Sequence, residues 1–314
     1  IDGKNVLLTG RAGCGKSHIL KKLIKRLEHT NVKIKIGAPT HQAKKLLGEK
    51  AKTVHNLFGH DIVGKIHNVK FDDNSTIIID EVSMIHIEFW SSIIKIRRQQ
   101  PDINFILCGD FNQLPAVGEE NTDVYNTKFL RDIVDYQLNL TVNKRCSKDS
   151  QLHFDIMTQA INGEKIDYEF PQGDDNIVNH LCFTNAKRRS INNKFMKKFR
   201  GSSYLECGDI FVYENLPMIC KKNFRGKNGL HLNNGDRFTV TGYDDKNIYT
   251  DIDIVIPIYK DIHIDFQPAY AITVHSSQGT TITTAYTLHE TEKYTDKMLY
   301  VALSRCSDLK LIHI

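Results

Sequence analysis

Short apolar runs and amphipathic segments alternate through the first 110 residues of the chain. Residues 6–9 form an apolar run, and residues 19–27 repeat apolar side chains every three or four positions, with lysine and arginine between them. The run predicts a buried strand, and the longer period predicts a helix. Further elements of these two kinds are predicted at residues 32–36, 41–47, 76–79, 85–98 and 104–108. Strands that alternate with helices predict an α/β fold with parallel sheets.

A second α/β region is predicted from about residue 136 onward. Its expected elements are strands at residues 137–140, 178–183 and 309–314 and helices at residues 151–162 and 187–200. Residues 208–268 change to short β-rich runs with turn residues such as Asn233-Asn-Gly235. The pattern therefore predicts a first lobe at 1–135, with a short insertion at about 56–75, and a second lobe at 136–207 and 269–314. Residues 208–268 are expected to be a small β-rich insertion in the second lobe.

A phosphate-binding motif follows the first predicted strand. Residues 10–17 read Gly-Arg-Ala-Gly-Cys-Gly-Lys-Ser, which matches Gly-x-x-x-x-Gly-Lys-Ser between a strand and a helix. Glycines let backbone N–H groups face a phosphate, and the start of the helix adds a partial positive charge. We predict a nucleoside triphosphate site made by Gly10, Ala12, Gly13, Cys14, Gly15, Lys16, Ser17 and His18. Lys16 is expected on the β- and γ-phosphates and Ser17 on Mg²⁺.

Asp80 and Glu81 come directly after the buried strand at residues 76–79. Behind a P-loop, an aspartate at such a strand end helps to hold Mg²⁺, and the adjacent glutamate can take a proton from the attacking water. The pair predicts hydrolysis of ATP or GTP. Because parallel strands end at one edge of a sheet, Lys16 and Asp110 are expected at the same site.

Two further motifs narrow the class of P-loop protein. Gln113 lies on the loop after the strand at 104–108, where its amide can bond the γ-phosphate or the attacking water. Arg305 follows an apolar helical run at residues 300–304, in the position of an arginine finger supplied by a second lobe. A P-loop and an acidic pair alone leave kinases, transporters and motor ATPases open, whereas these additions favour a motor.

Composition and charge add little to these motifs but exclude some classes. The chain has 314 residues and a net charge of +5, with no apolar run of the length that spans a membrane. Its seven cysteines include no Cys-x-x-Cys pair, so we expect reduced thiols in an intracellular protein that is not secreted. The mild positive charge permits a polyanionic partner without requiring one.

Taken together, the motifs resemble those of superfamily 1B helicases, specifically the PIF-type and RecD-like DNA helicases. The matching segments are residues 10–17, 38–43, 53–55, 79–84, 109–117, 143–145, 271–281 and 300–305. The resemblance implies two tandem RecA-like lobes with parallel sheets and ATP and Mg²⁺ as cofactors. It also implies translocation on single-stranded DNA from 5′ to 3′ and unwinding of duplex DNA by ATP hydrolysis in a cleft between the lobes. The expected partners are single-stranded, duplex and forked DNA, with no membrane; the motor is expected to be monomeric, and replication and recombination proteins are candidate partners.

The resemblance also implies a role for each matched residue. Catalytic roles fall to Lys16, Glu81, Gln113, Arg145 and Arg305, with the two arginines coming from the second lobe, and metal binding falls to Ser17 and Asp80. Gln278 and Gly279 would couple the nucleotide site to the DNA strand. Contacts with the strand's backbone would come from Pro39, Thr40, His55, Thr273 and His275. A capping or packing role is the alternative for Thr40, His55, Thr273 and His275.

Three other classes of function stay open at this point. One is an NTP-driven translocase that is stimulated by single strands and remodels nucleoprotein without unwinding duplex. Another is a P-loop kinase for a small molecule, which the motifs of the second half disfavour. The last is a nucleotide-binding module without catalysis, which is disfavoured because Lys16, Asp80, Glu81, Gln113 and Arg305 are all present.

Overall fold

The computed structural model describes residues 3–59, 70–120, 122–145 and 150–314. The chain forms two compact units, Ile1–Lys165 and Ile166–Ile314. Within the described residues, no helix is both long and apolar enough to cross a membrane. Residues 60–69, half of the short insertion expected at 56–75, lie outside the described residues, as does Cys146.

The first unit is a parallel sheet with helices on both faces. Its strands are β1 Val6–Gly10, β2 Ile34–Ala38, β3 Lys52–Thr53, β4 Thr76–Ile79, β5 Asn104–Gly109 and β6 Tyr136–Leu140. Its helices are α1 Lys16–Glu28, α2 His41–Leu47, α3 Val54–Leu57, α4 Ile87–Gln99, α5 Lys128–Ile133 and α6 Ser150–Asn162, with 3₁₀ turns at Val82–Met84 and Val124–Asn126. The strand order is β3-β2-β4-β5-β1-β6, and every pair is parallel.

Alternate residues of the central strands feed two separate cores. Ile77 and Ile79 pack with Phe89 and Trp90 of α4, whereas Ile78 packs on the other face with Leu20 and the rest of the apolar side of α1. All three isoleucines are fully buried. A strand covered on both faces has no polar positions, which explains the uninterrupted apolar run at residues 76–79.

The boundary predicted at residue 135 is wrong. Strand β6 pairs in parallel with β1, with Leu7 opposite Gln137, so it is the edge strand of the first sheet. The first unit therefore continues through β6 and α6 to Lys165. The periodicity at 137–140 correctly predicts a strand, but period alone does not state which sheet a strand joins.

The second unit combines a parallel sheet with antiparallel strands. Its helices are α7 Asn185–Phe199, α8 Ile262–Asp265 and α9 Asp296–Leu303. Its strands are β7 Asn179–Cys182, β8 Leu205–Cys207, β9 Ile210–Val212, β10 Pro217–Cys220, β11 Phe224–Arg225, β12 His231–Leu232, β13 Arg237–Tyr243, β14 Asn247–Thr250, β15 Val255–Pro257, β16 Phe266–Pro268, β17 Ala271–Thr273, β18 Tyr286–His289 and β19 Ile312–His313. There are 3₁₀ turns at His275–Ser277, Thr291–Lys293 and Leu309–Leu311.

Two larger sheets organise these strands. The parallel sheet has the order β17-β7-β18-β19, and the antiparallel sheet has the order β15-β14-β13-β10-β16. The antiparallel strands lie between Leu205 and Pro268, where a β-rich insertion is expected. They share one core with α7, in which Ile191 and Phe195 pack with Met218 and other strand residues.

The last predicted strand is shorter than expected. Leu309–Leu311 forms a 3₁₀ turn because the side chain of Asp308 accepts a hydrogen bond from the backbone N–H of Lys310. Only Ile312–His313 pairs as a strand, against Tyr286 and Thr287 of β18.

Candidate nucleotide-binding site

The P-loop joins the end of β1 to the first turn of α1, as the sequence predicts. Gly13 has φ of +86°, and a Cβ placed on it would lie 2.7 Å from Oδ1 of Asn143. The backbone N–H of Lys144 also donates to the carbonyl of Gly13 at 2.8 Å. The segment at 143–145 thus packs directly on the P-loop, and Gly13 leaves it the room to do so.

Lys16 is buried at the start of α1 and faces the loop that precedes it. Its Nζ donates to the backbone carbonyls of Gly10 at 2.7 Å and Arg11 at 3.1 Å. Both of these hydrogen-bond partners are backbone carbonyls, so backbone dipoles hold the ammonium in place. An ammonium held in this way attracts the negatively charged oxygens of a phosphate.

Ser17 and Asp80 form the pair that the sequence predicts for a metal ion. Ser17 Oγ donates to Asp80 Oδ2 at 3.2 Å, and the other carboxylate oxygen accepts from the backbone N–H of Glu81 at 2.9 Å. Asp80 is buried at the end of β4. A hydroxyl and a carboxylate are hard oxygen donors of the kind that Mg²⁺ prefers, and Mg²⁺ fills its remaining positions with water and phosphate oxygens. The residues present therefore fit a magnesium ion.

Glu81 adopts a backbone conformation that non-glycine residues seldom use. Its φ and ψ are 53° and 42°, in the left-handed helical region. Such a conformation costs on the order of 1 kcal/mol and is concentrated at functional sites. It comes directly after the buried strand β4 and turns the chain sharply into the Val82–Met84 turn.

Gln113 and Asp110 lie together on the strand end next to β4. The Gln113 side chain donates to Asp110 Oδ2 at 3.4 Å, and its backbone N–H donates to the Asp110 carbonyl at 3.0 Å. Both side chains are buried. The carboxylate therefore orients the amide of Gln113, as a residue that places a water or a phosphate oxygen would need to be oriented.

The contacts that Arg11 of the P-loop makes with helix α6 are not predicted from the sequence. Its guanidinium lies over the ring of Phe154 on α6, 4.5 Å from the ring centre, and its Nη1 donates to the hydroxyl of Thr158. Thr158 in turn donates to the carbonyl of Phe154 at 2.7 Å. No motif marks this contact, because α6 is far from the P-loop in sequence.

Arg145 does not lie in the second unit, contrary to its predicted origin in a second lobe. It belongs to the first unit, and its Cβ lies 3.0 Å from the position that a Cβ on Gly13 would take. Its backbone N–H donates to Asn143 Oδ1 at 2.9 Å. The structure thus places Arg145 beside the P-loop within one sheet unit.

Arg305 lies in the second unit, as predicted, and is buried there. Its guanidinium donates to the backbone carbonyls of Val301 at 2.8 Å, Ser277 at 3.1 Å and Thr280 at 3.4 Å and to Ser304 Oγ at 2.7 Å. These bonds tie the end of α9 to the loop at 277–280. The same loop contains Gln278, which is buried, and Gly279, which has φ of +76°.

The residues predicted to touch a DNA strand mostly have local structural partners. Thr40 caps α2 by accepting from the N–H of Ala43 at 3.1 Å. His55 is exposed on α3, and its ring packs edge-on against Phe89 at 4.8 Å. Thr273 Oγ1 donates to Ser276 Oγ at 3.0 Å and accepts from the N–H of Ser276. Pro39 precedes the cap, and His275 begins a 3₁₀ turn. His18, which is predicted for the nucleotide site and not for DNA, is exposed on α1.

Two thiols near the P-loop are kept neutral by burial. Burial raises the pKa of Cys14, although the nearby charge of Lys16 opposes the rise. Burial raises the pKa of Cys108 well above its usual value, and the charge of Asp80 adds to the effect. No cluster of three or more His, Cys, Asp or Glu side chains able to hold a metal ion occurs in residues 3–59, 70–120, 122–145 and 150–314.

Comparison with known proteins gives one consistent answer. Residues 1–119 match the AAA domain family. The ATP-dependent DNA helicase PIF1 of Trypanosoma brucei brucei is 30% identical over 156 residues, which cover 46% of this chain and 16% of that protein. The ATP-dependent DNA helicase Pif1 of Campylobacter jejuni is 23% identical, covering 99% of this chain and 88% of that protein. The chain is thus similar to the Pif1 and RecD2 DNA helicases over the segments that match.

The solved structures show a similarity of fold to Pif1 helicases. The crystal structure of Pif1 from Bacteroides, in complex with ADP-AlF3 and single-stranded DNA, matches 100% of this chain and 89% of that one, with a TM-score of 0.67 and 22% identity. The predicted fold class of RecA-like α/β lobes with parallel sheets is therefore confirmed. The chain spans only 16% to 22% of the length of the first curated relatives that it matches.

Proposed function

We propose that the chain is an ATP-dependent DNA helicase, which hydrolyses ATP to translocate on single-stranded DNA from 5′ to 3′ and to unwind duplex DNA. The observation that supports this most strongly is the hydrogen bond that Ser17 Oγ donates to Asp80 Oδ2 at 3.2 Å, next to the buried Lys16. Ser17 lies in the first turn of α1 and Asp80 directly follows β4, so the two side chains meet at one edge of one sheet. A structural hydroxyl–carboxylate pair alone would not require a buried ammonium that is held by the backbone carbonyls of a glycine-rich loop.

The same edge supplies the groups that hydrolysis needs. The Lys16 ammonium would bind the β- and γ-phosphates of ATP, and Ser17 and Asp80 would hold Mg²⁺, which supplies charge neutralisation when bound. Glu81 would accept a proton from the attacking water, and Gln113, oriented by Asp110, would bond the γ-phosphate or that water.

The second unit is proposed to respond to the nucleotide. Arg305 would act as the arginine finger and Arg145, from the first unit, as a second cation near the phosphates. Gln278 and Gly279 lie between Ser277 and Thr280, whose carbonyls accept from Arg305. Thr273 and His275 precede Ser277 by four and two residues, so a change at Arg305 would reach them through this short segment. Strand affinity that changes with the bound nucleotide would convert hydrolysis into steps along DNA.

DNA as the partner rests on the relatives and on the positions matched to them. The relatives named above are called ATP-dependent DNA helicases, and the Bacteroides Pif1 was crystallised with single-stranded DNA. We propose backbone contacts from Pro39, Thr40, His55, Thr273 and His275, which would make binding independent of sequence. Single-stranded and forked DNA, a monomeric motor and an intracellular location belong to the same proposal, with replication or recombination proteins as further partners.

Two labelled duplexes, one with a 5′ tail and one with a 3′ tail, test the proposal when unwinding and ATP hydrolysis are followed together. We expect unwinding of the 5′-tailed duplex only. Lys16→Ala should abolish both activities, whereas Lys21→Ala, which removes an exposed ammonium from the same helix, should leave both unchanged.

Other outcomes separate the alternatives. Unwinding of only the 3′-tailed duplex would keep the motor and reverse its direction. Hydrolysis that is stimulated by single strands without unwinding would support the translocase. Hydrolysis or phosphate transfer that ignores every strand would contradict a DNA motor and favour a kinase.

A further inference from the structure

A pocket of about 450 Å³ lies within the second unit, between helix α7 and the strands that follow it. We call it the α7 pocket. It is lined on the helix side by Arg188, Arg189 and Lys197 and on the opposite side by Asp209 and His263, among others. Its volume lies in the range of sites for small organic ligands, about 300–1,000 Å³. None of these residues belongs to the nucleotide site of the first unit or to the positions proposed for the DNA strand.

The lining carries more positive than negative charge. Three cationic side chains face one carboxylate, Asp209. In the part of the chain that the structure describes, no carboxylate lies within salt-bridge distance of Arg188, Arg189 or Lys197. On the same helix but outside the pocket, Lys194 does have an acidic partner, Asp175, at 2.7 Å.

Arg188 is held in place before any ligand arrives. Its Nη1 donates to Gln267 Oε1 at 2.6 Å, and its Nε donates to Asn185 Oδ1 at 3.1 Å. These bonds fix the plane of the guanidinium, which lowers the entropy lost when the group binds an anion. Burial lowers the pKa of Arg188, and the charge of Arg189 lowers it further. An anion between the two arginines would relieve this repulsion.

The other parts of the wall suit a ring and a hydrogen-bond donor. Met196, Ile210, Phe211 and Ile264 supply an apolar surface, and 57% of Ile264 is exposed at the rim. Asp209 can accept a hydrogen bond from a hydroxyl group, as an acidic residue does from a ribose. Nδ1 of His263 is buried and has no hydrogen-bond partner.

We infer that the α7 pocket binds a nucleotide unit, with its phosphate on Arg188, Arg189 and Lys197, its sugar hydroxyl on Asp209 and its base on the apolar wall. A cluster of cations alone would fit any anion, and the apolar wall alone would fit any ring. Their combination in one concavity of nucleotide size selects a phosphate ester that carries a ring. The source of such a unit is either a free nucleotide or the end of a nucleic acid strand.

Isothermal titration of the full chain with adenosine 5′-monophosphate tests the inference, with every protein carrying Lys16→Ala so that the P-loop contributes little. We expect one binding event, which Arg189→Gln weakens about tenfold because a charge-assisted bond to phosphate is lost. Lys194→Gln removes one charge from the same helix outside the pocket and should leave the affinity unchanged. Both side chains are exposed, so neither change threatens folding.

A second variant and a competitor complete the experiment. Lys197→Gln should weaken binding in the same direction as Arg189→Gln. Displacement of the nucleotide by a 5′-phosphorylated oligothymidylate would identify a strand end as the source, and no displacement would identify a free nucleotide. Absence of binding at millimolar nucleotide, or equal weakening by Lys194→Gln and Arg189→Gln, would overturn the inference. Because all proteins in the test lack Lys16, its result is independent of the proposed helicase activity.

Discussion

The guanidinium carbon of Arg11 lies 4.5 Å from the centre of the Phe154 ring, which joins the P-loop to helix α6. The same residue offers its backbone carbonyl to the Lys16 ammonium at 3.1 Å. The contact of the Arg11 side chain with Phe154 therefore anchors the backbone carbonyl of Arg11, and this carbonyl positions Lys16, the lysine proposed to bind phosphate. A cation over an aromatic face contributes about 0.5–2 kcal/mol, depending on how dry the site is.

We predict that Arg11→Ala lowers kcat/KM for ATP about tenfold, because the carbonyl that holds Lys16 loses its anchor. Steady-state hydrolysis measures this, with Arg98→Ala on the exposed face of α4 as the control. Phe154→Ala should have a similar effect, and the double variant should be no worse than either single one. Additive losses would mean that the two residues act separately.

Glu81→Gln should lower kcat for hydrolysis by about 10²–10⁴-fold, because the amide does not accept the proton of the attacking water. Nucleotide affinity should stay the same, since the amide has the size and shape of the carboxylate. Rapid-quench hydrolysis and nucleotide titration of the same protein check the two statements. Glu88→Gln, an exposed change on α4, is the control. Hydrolysis at the normal rate would remove Glu81 from the role of base.

Gly13→Ala and Gly48→Ala should differ, although both glycines have positive φ, at +86° and +109°. At Gly48 the added methyl group meets nothing within 4 Å, so only the backbone cost of about 1–2 kcal/mol applies. At Gly13 the methyl group would also overlap Oδ1 of Asn143, at 2.7 Å. We expect Gly13→Ala to be the less stable protein in thermal unfolding and to lose nucleotide binding. Equal melting temperatures would show that residues 143–145 move away without cost.

Acid should destabilise the second unit through buried His180 and its half-buried neighbour His289. His180 Nδ1 lies 3.0 Å from His289 Nε2, and burial, assisted by the charge of His289, lowers the pKa of His180 to about 4. Burial also lowers the pKa of His289. An unfolded histidine takes up its proton near pH 6.5, so between pH 6.5 and pH 4 the unfolded chain binds more protons than the folded one. The free energy of unfolding therefore falls as the pH falls through this window.

His180 alone should lower that free energy by about 2 kcal/mol between pH 7 and pH 5. Urea unfolding followed by circular dichroism at the two pH values measures the difference. His180→Gln should remove most of this difference, whereas His231→Gln, an exposed change on β12, should preserve it. A pH dependence that survives His180→Gln unchanged would assign the effect to other groups.

The sequence alone determined the nucleotide motif and the strands around it. These features are local, because each depends only on residues that are close together in the sequence. They are the glycines and Lys16 of the P-loop, the apolar run that ends at Asp80 and the helical period of α1. Because parallel strands end at one edge of a sheet, the sequence also predicts that Ser17 and Asp80 lie close together. The hydrogen bond between them agrees with this prediction.

Only the tertiary structure decided which distant segments meet. It shows that β6 and Arg145 belong to the first unit and that Arg11 lies over the ring of Phe154. It also shows that Arg305 bonds backbone carbonyls of its own unit. It also gathered the cations of α7 around one pocket. These relationships depend on strand order and on helix packing. Strands β1 and β6, and likewise Arg11 and Phe154, are more than 100 residues apart in the sequence. Periodicity assigns a residue to an element and a face, but strand order and packing decide which element lies next to it.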